Sequence, residues 1–493
     1  MELINDNTAA VASIEDVAEC TARADAQVRK VLGGVMAQRR TAAVAFDYVA
    51  ALAPGVKANC WSLAESAGHE GWGRMQALLG SYRWDWRQLR AGLAGLAAAW
   101  IPDADGDLIG PGIAIDETAQ LKHGDATACV APQHAGCTGQ VENCVTTVFS
   151  AYVTAKGQAW ADFDVYMPGR WAVDPPRRRA ARIPAELEFA TKPQLAMNQL
   201  ERLLAAGLPV RWAAFDEVYG RSEKLRKACA IAGLAYVAII PCDYQITMPS
   251  GAVIQASQAV QDAMFERRSC GNGSKGPRYS DWAMTATAIP GQYLLIRRLI
   301  SRPDQLTFYL CWAPPGQPAT MTFFITVAGR RWPAEETFRT GKDVYGWDQC
   351  QARTFDGICR HTALAALAQL RCLAIRGVLR GEIQLQAIAA DGGRDRSAIM
   401  DDGNISDTDL QIPLGDAPVP VRGGQPCPSG IAPIKLSVAE TARLARLAVQ
   451  YTAGLISRAR LAFALRWSAR RRRHQAAARW HHYSLRLLAA ATG

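Results

Sequence analysis

The sequence predicts an α/β protein of several domains, and three observations support this prediction. The chain of 493 residues is longer than a single hydrophobic core usually supports. Between residues 107 and 240, short apolar runs alternate with amphipathic helical segments, which is the pattern of a sheet covered by helices. The last 53 residues hold eleven arginines and no acid, which indicates a separate basic tail.

Changes in composition divide the chain into six segments. They are a helical domain over 1–103, the first part of an α/β domain over 104–240, a β-rich insertion over 241–325, the second part of the α/β domain over 326–390, a linker over 391–434 and a basic helical tail over 435–493. Within the first segment, residues 60–86 predict either a DNA-binding helix-turn-helix or a plain helical core built on Trp61, Trp84 and Trp86.

Composition also excludes some classes of protein. The longest apolar run, Ala91 to Pro102, is shorter than the roughly 18 residues that a membrane span needs, and the N-terminus has no secretory pattern. We therefore expect a cytoplasmic protein with no membrane partner. The thirteen cysteines do not form the CxxC pairs of a zinc site and are expected to be small buried hydrophobes.

The distribution of charge is more informative than its net value of +10. The first 440 residues carry a net charge of −1, and the remaining 53 carry +11. A basic segment of this kind indicates a polyanion partner such as DNA. We expect Arg470, Arg471, Arg472 and Arg473, in its densest stretch, to contact phosphate groups.

The α/β segment begins with a strand and a hairpin. The run LIGPGIAID is apolar up to Asp116, which predicts a buried strand with a carboxylate at its end. Residues 144–154 and 158–167 then alternate as two strands of a hairpin that turns at Gly157.

A second acid-bearing strand follows. KPQLAMNQLERLLAAG predicts an amphipathic helix that Gly207 ends. VRWAAFD predicts another buried strand, which ends in Asp216. SEKLRKACAIAG predicts a helix opened by Ser222, and LAYVAIIP predicts a third buried strand.

The remaining elements complete the predicted architecture. Over 241–325, β-like runs such as YLLIRRLI, LTFYLCW and TMTFFITVA lie between Gly-, Pro- and Ser-rich stretches. RWPAEETFRTGK and HTALAALAQLRCLAIRGVL predict two further helices, the first of which contains Glu335. A strand and hairpin, then alternating helices and parallel strands, then an acid-bearing helix, is the order typical of an RNase H-like fold.

In such a fold the acids of the first strand and of the next parallel strand lie side by side, and an acid on a later helix completes the cluster. Asp116, Asp216 and Glu335 hold these positions. Two Mg²⁺ ions about 3.5–4 Å apart clamp the attacking and leaving oxygens of a phosphoryl transfer, and a few carboxylates suffice to bind them. We therefore predict that these three acids are catalytic ligands of two Mg²⁺ ions, for which Mn²⁺ can substitute.

Three blocks of sequence resemble the DDE transposases of bacterial insertion sequences, in particular a subgroup with a tyrosine–arginine–glutamate–lysine signature. The blocks are IDETAQLKHG with HAGCTGQVENC, then ATKPQLAMNQLERLLAAGLPVRWAAFDEVYGR, then GRRWPAEETFRTGKDVYGWDQCQARTFDGICRH. In the third, Arg331, Glu335 and Lys342 fit R-x₃-E-x₆-K. The signature tyrosine is replaced by Ala328, and Ala119 stands where a glycine is usual. The resemblance covers about residues 50–380.

The resemblance implies a transposase that cleaves and joins strands of double-stranded DNA at terminal inverted repeats and at a target. It implies a homodimer on DNA, because two ends must be held together, and association with the nucleoid. Arg331 and Lys342 lie on the helical face of Glu335 and are expected to bind DNA phosphates.

Plainer interpretations stay open for several of these residues. Glu117 and Glu217 are expected to point away from the acids that precede them and to be structural. Arg331 can form an ordinary ion pair with Glu335, and Glu336 competes with Glu335 as the third acid.

Alternatives also stay open for the insertion and for the whole protein. Trp282 and Trp312 are expected in the core, and their alternative role is stacking on a displaced base. The protein can instead be a DNA-binding regulator that has lost its chemistry. A paired-carboxylate glycosidase is a third hypothesis, but it predicts neither a basic tail nor dependence on metal.

Overall fold

The computed structural model describes residues 14–273, 276–385 and 434–491. The helices are α1 (Ile14–Val35), α2 (Arg39–Ala51), α3 (Cys60–Ser66), α4 (Gly73–Gly80), α5 (Trp86–Trp100), α6 (Gly169–Ala172), α7 (Pro175–Ala180), α8 (Lys192–Ala205), α9 (Glu217–Gly220), α10 (Glu223–Ile231), α11 (Met321–Asp343), α12 (Phe355–Leu379), α13 (Val438–Thr452) and α14 (Arg458–Ala491). The strands are β1 (Gly112–Leu121), β2 (Ala131–Ala135), β3 (Gln140–Val153), β4 (Gln158–Val165), β5 (Trp212–Phe215), β6 (Ala235–Ile240), β7 (Gln245–Thr247), β8 (Val253–Gln255), β9 (Glu266–Gly273), β10 (Gly276–Ala286), β11 (Gln292–Arg298) and β12 (Leu306–Trp312). The predicted linker over 391–434 lies outside the described residues except for Ile434.

Ten strands form one mixed sheet. Nine of them follow the order β2-β3-β1-β5-β6-β12-β11-β10-β9, and β4 also pairs with β3. The strands β1, β5 and β6 are parallel, whereas β3 and β12 flank them in antiparallel orientation. The hairpin of β3 and β4 turns at Gly157, as predicted. The α/β class is confirmed, and the central order of the strands fits an RNase H-like domain.

Each face of the sheet has its own hydrophobic core. On one face, Ile113, Phe149 and Phe215 belong to the large core that also contains residues of α5, α8 and α12. On the other face, Trp212 packs in a smaller core with Phe324 of α11. Burial on both faces explains why the central strands are apolar runs without alternation.

The helix α12 is the centre of the large core. It contacts α1, α2, α4, α5, α13 and β4, and 21 of its 25 residues are buried. It is the one helix among the described residues that is long and apolar enough to cross a membrane, but 89% of that stretch is buried inside the fold. This burial identifies it as a core helix.

The helices before and after the α/β segment share that core. Asp25 of α1 pairs with Arg371 of α12 at 2.5 Å, and both side chains are mostly buried. Tyr48 of α2 bonds to Nδ1 of His361, whose Nε2 lies 3.0 Å from the main-chain oxygen of Trp347. The terminal helices are therefore packed against the α/β fold, and the predicted domain boundaries stay predictions.

Two features differ from the expectations for residues 241–325. Strands β9 to β12 continue the main sheet through the pairing of β12 with β6. The run TMTFFITVA, predicted to be β-like, forms the start of α11. Thr320 caps this helix by accepting a hydrogen bond from the main-chain nitrogen of Phe323, and Phe323 and Phe324 pack on the sheet. Tertiary packing and a capping residue thus outweigh the β propensity of the run.

Residues 60–86 form two short helices, α3 and α4, joined by a turn. Of the three tryptophans that the plain helical-core alternative places inside, Trp84 and Trp86 are buried, whereas Trp61 is 66% exposed. Trp61 stacks on Trp72, which is also exposed. A role for these helices in reading DNA stays a prediction.

The buried pair of Asp25 and Arg371 yields a test of the shared core. We expect Asp25→Asn to lower the free energy of unfolding by about 3 kcal/mol, because it leaves Arg371 as an unpaired charge in the core. Urea unfolding followed by tryptophan fluorescence measures the change. Asp304→Asn, in an exposed loop, is the matched control, with an expected change below about 0.5 kcal/mol. A loss no larger than that of the control would show that this pair does not hold the helices together.

Candidate active site

Asp116 and Asp216 lie side by side on neighbouring parallel strands. The register pairs Ile115 of β1 with Phe215 of β5, and each acid is the next residue. Asp216 directly follows β5 and caps α9 by accepting hydrogen bonds from the main-chain nitrogens of Val218 and Tyr219, at 3.0 and 3.3 Å. The position of Asp116 differs from the prediction, because β1 continues to Leu121 along β3. Asp116 therefore lies where the parallel pairing stops, not where its strand ends.

The turn after Asp216 is held tightly against the sheet. Gly220 ends α9, and a Cβ atom at this position would lie 1.9 Å from the main-chain oxygen of Ile239 on β6. A larger residue would push the turn off the sheet. This close approach fixes the direction in which Asp216 leaves β5.

Glu117 joins the two aspartates, which the sequence did not predict. One carboxylate oxygen from each of Asp116, Glu117 and Asp216 lies within 4.8 Å of the others, and this is the one such acidic group among the described residues. Strand alternation still gives Glu117 separate neighbours: Lys192 of α8 lies 2.7 Å from Oε1, and the hydroxyl of Tyr219 donates to Oε2. Because β5 ends at Phe215, no strand separates the two faces of β1 at this point, and the carboxylates of Asp116 and Glu117 both approach that of Asp216. In the sequence, an Asp-Glu pair follows each of the two apolar runs, and this repeated pair was the signal that could have indicated a third acid at the site.

Arg331 stands between Asp116 and Glu335. Its guanidinium nitrogens lie 3.3 Å from Oδ2 of Asp116 and 3.1 Å from Oε1 of Glu335, and the side chain is mostly buried. Glu335 is one helical turn after Arg331 on α11, and its side chain is 43% exposed. The structure therefore contains the plain ion pair considered above, and it connects Glu335 to the aspartates through Arg331. Glu335 is not part of the three-acid group.

The neighbours of Glu335 on α11 have different surroundings. Glu336 lies 3.7 Å from Arg339 and lines a cavity on another side of the helix. Lys342 is half-buried and follows Glu335 by seven residues, which is nearly two full turns, so it shares the face of Glu335. The placement favours Glu335 over Glu336 as the third acid.

Burial and mutual repulsion raise the pKa values of both aspartates above their ordinary range. Burial and the charge of Asp216 raise the pKa of Asp116 to about 8, although Arg331 opposes the shift. Burial and the charge of Glu117 raise the pKa of Asp216 to about 6. A cation that replaces lost water would relieve this repulsion. Carboxylate oxygens are hard donors, so the cluster fits a divalent cation such as Mg²⁺, Mn²⁺ or Ca²⁺.

The predicted DNA-contacting arginines of the tail lie on α14, which packs against α13, α1 and β10. Arg470 is exposed and lies over the ring of Trp467. Arg471 pairs with Glu440 at 3.2 Å, and Arg472 donates to the main-chain oxygen of Ile434. The tail thus packs back on the fold, but in the described part of the chain Arg460, Arg466, Arg470 and Arg473 make no ion pair with an acid.

The two tryptophans of the insertion differ in exposure. Trp282 is fully buried, and its indole nitrogen donates to the main-chain oxygen of Arg268. Trp312 stacks on Tyr236 and lines a cavity of about 330 Å³. Core packing therefore accounts for Trp282 in full and for Trp312 in part.

Two family models match the chain. A model described as a DDE superfamily endonuclease matches residues 30–263, and one described as a transposase DDE domain matches residues 192–371. Together they extend from residue 30 to residue 371, a range that contains Asp116, Glu117, Asp216 and Glu335. No curated protein matches the chain.

The raised pKa of Asp116 predicts how stability depends on pH in the absence of metal. Its pKa is about 8 in the folded protein and about 4 in the unfolded chain, so folding favours the protonated form. The resulting contribution to the free energy of unfolding is complete below about pH 4 and is lost as the pH rises through 8. Asp116→Asn cannot ionise, so we expect it to flatten the fall in the free energy of unfolding between these limits. Chemical unfolding at several pH values in EDTA measures the slope.

The control for this experiment is Asp262→Asn, at an exposed position outside the cluster. It is expected to keep the slope of the wild type. Identical slopes in Asp116→Asn and in the wild type would contradict the shifted pKa and the close packing of the acids.

Proposed function

The chain belongs to the DDE transposases, and we propose that it cuts DNA at the inverted repeats of an insertion sequence and joins the ends to a target. DDE enzymes are polynucleotidyl transferases or nucleases, so DNA is the substrate. The observation that supports the proposal best is the meeting of Asp116 and Asp216 at the ends of their parallel pairing. We further propose that the enzyme acts as a homodimer, because two DNA ends must be held together, and in the cytoplasm, in contact with the nucleoid.

We assign Asp116, Asp216 and Glu335 as the ligands of two Mg²⁺ ions, for which Mn²⁺ can substitute. Bound metal would polarise the scissile phosphate and activate the attacking oxygen. Glu117 is assigned to positioning, because both of its oxygens already have partners, Lys192 and Tyr219. It fixes the helices α8 and α9 against β1 beside the aspartates.

Arg331 is proposed to exchange partners when DNA binds. In the structure its guanidinium neutralises Asp116 and Glu335, two of the three acids assigned as metal ligands. If those carboxylates were neutralised by bound metal, the guanidinium would be free to bind a phosphate of the DNA, for which its planar set of donors is well suited. Lys342, on the same face of α11, is proposed to hold a neighbouring phosphate.

We propose that the duplex is held mainly by arginines of α14, including the exposed Arg470 and the half-buried Arg473. The segment after residue 440 contains no acid, so its positive charge is compensated only by other elements. Glu440 pairs with Arg443 and Arg471. In the described part of the chain Arg460, Arg466, Arg470 and Arg473 form no ion pair with an acid, so we propose that their charge is available for phosphates.

A regulator that binds DNA without cutting it is the second candidate. It would keep the fold and the basic tail but would have no use for the acids. The burial of Asp116 and Asp216 with raised pKa values argues against it. Such a cluster lowers the stability of the fold, and clusters of this kind are found mainly at functional sites.

The proposal is tested with a plasmid that carries the gene and its flanking DNA. We expect cleavage and joining with Mg²⁺ or Mn²⁺ and neither in EDTA, because the ligands are all carboxylates. We expect Asp116→Asn, Asp216→Asn and Glu335→Gln each to abolish both reactions while DNA affinity stays close to that of the wild type. Gel analysis of the products and an affinity titration measure the two properties.

Glu336→Gln is the matched control and should keep its activity. If Glu336→Gln is inactive and Glu335→Gln is active, the third acid is misassigned by one residue. Full cleavage in EDTA would exclude the metal-dependent reaction. DNA binding without cleavage under all of these conditions would favour the regulator.

The role of the tail is tested by neutralising charge rather than by truncation. Truncation after Glu440 would remove most of α13, whose Leu444, Ala445 and Ala448 are buried, so it would also unfold part of the core. We expect replacement of Arg460, Arg466, Arg470 and Arg473 by glutamine to weaken duplex binding. The slope of log K against log salt should become shallower by roughly 0.9 for each DNA phosphate that the variant no longer neutralises.

Duplex affinity at several salt concentrations, measured beside thermal unfolding, checks this prediction. The control replaces four exposed basic residues elsewhere by glutamine: Lys224, Lys227, Arg267 and Arg302. An unchanged slope in the tail variant would show that α14 is structural.

A further inference from the structure

A second basic feature lies behind α11, away from the acidic cluster. It is a cavity of about 920 Å³, hereafter the rear cavity, between the turn of the β3–β4 hairpin, α11, α12 and residues 435–439. Seven basic side chains and two acidic ones, Glu336 and Asp343, line it. The nearby Asp107 and Glu382 offset part of this charge, through ion pairs with Arg330 and Arg380. The rear cavity therefore keeps an excess of positive charge.

The cations on its inner wall are poorly compensated. Arg376 donates to the main-chain oxygen of Lys156, but the Nε atoms of Arg376 and Arg380 are buried without a hydrogen-bond partner. The acid beside this group is Glu382, which lies 3.7 Å from Arg380 and 3.8 Å from Lys435. Burial lowers the pKa of Arg376 and, with the charge of Arg376, that of Arg380 to about 10. Buried cations without enough counter-charge are unfavourable, so this wall favours an anionic ligand.

We propose that the rear cavity binds the sugar–phosphate backbone of a single DNA strand. This inference rests on the proposed action on DNA. The volume lies within the range of roughly 300–1,000 Å³ that is usual for small-ligand sites, so the space suits a few nucleotides of one strand and not a duplex. Leu436, Val438 and Ala439 add apolar surface beside the cations. A single strand offers phosphates together with unpaired bases for such a mixed lining, whereas a duplex does not.

The position of the rear cavity also favours DNA over a free phosphate compound. Arg380 donates to the main-chain oxygen of Leu436, and Arg472 of α14 donates to that of Ile434 nearby. The basic lining therefore continues into the helix that is proposed to hold the duplex.

The experiment measures binding in EDTA, so cleavage does not contribute. The probes are a fluorescent oligodeoxythymidylate, a duplex of the same length and inorganic pyrophosphate. The variant Lys156→Glu with Lys435→Glu changes two lining residues outside the proposed catalytic site, one half-buried and one 76% exposed. Lys224→Glu with Lys227→Glu, on the exposed side of α10, is the matched control.

We expect the cavity variant to bind the oligodeoxythymidylate roughly tenfold more weakly than the control, with a salt slope shallower by about 0.7 for each phosphate that it no longer neutralises. Its affinity for the duplex should stay within about twofold of that of the control, because α14 is unchanged. Thermal unfolding confirms that the variant is folded, and the milder pair Lys156→Gln with Lys435→Gln should show a smaller loss in the same direction.

Three results would overturn the proposal. They are equal single-strand affinity in the variant and the control, equal losses for single strand and duplex, and Lys156-dependent binding of pyrophosphate with no effect on the oligonucleotide. The last would identify a site for a small phosphorylated molecule. Asp116→Asn should bind the oligonucleotide like the wild type. A wrong assignment of the catalytic acids can therefore be distinguished from a wrong assignment of the rear cavity.

Discussion

The parallel register of β1 and β5 determines the arrangement of the candidate site. Because Ile115 lies opposite Phe215, Asp116 and Asp216 are neighbours at the point where the parallel pairing stops, and their carboxylates repel each other. Burial strengthens that repulsion, since little water is left to screen it. The elements around the pair supply compensation: main-chain nitrogens of α9 bind Asp216, and Arg331 of α11 binds Asp116.

Compensation by the protein alone is incomplete. Four acids meet in this region, Asp116, Glu117, Asp216 and Glu335, and the cations in contact with them are Arg331 and Lys192. With all four acids ionised, the group carries a net charge of about −2, which is the charge that a divalent cation removes. The same balance explains the position of Arg331. A guanidinium that bridges Asp116 and Glu335 stabilises the fold, and it competes for the carboxylates on which the proposed chemistry depends.

The sequence predicts those parts of the fold that depend on short-range pattern. The buried strands, the hairpin at Gly157 and the helix ended by Gly207 follow from periodicity and turn residues, and the structure confirms them. Where long-range packing decides, the sequence is insufficient. TMTFFITVA is helical because Phe324 finds a core beneath it, and Trp61 is exposed because α3 turns it outwards.

The prediction of the site shows the same division. The positions of Asp116 and Asp216 follow from a rule about parallel strands, so pattern is enough to bring them together. Glu117 keeps separate partners, Lys192 and Tyr219, yet one of its oxygens comes within 4.8 Å of the aspartates beyond the end of β5, a detail of sheet geometry that no local pattern contains. The link from Glu335 to Asp116 through Arg331 likewise requires the packing of α11 against the sheet.

The helix α11 separates two surfaces of opposite charge. Arg331 and Glu335 face the acids, whereas Arg330 and Thr340 line the rear cavity. Successive residues of a helix are about 100° apart, so adjacent arginines on one helix serve both surfaces. DNA is repelled by the acidic surface until a cation neutralises it, but the basic surfaces attract phosphate without metal. If α14 and the rear cavity bind DNA as proposed, the charges imply that DNA is held there first. Metal would then be needed only at the acids, where the scissile phosphate would approach.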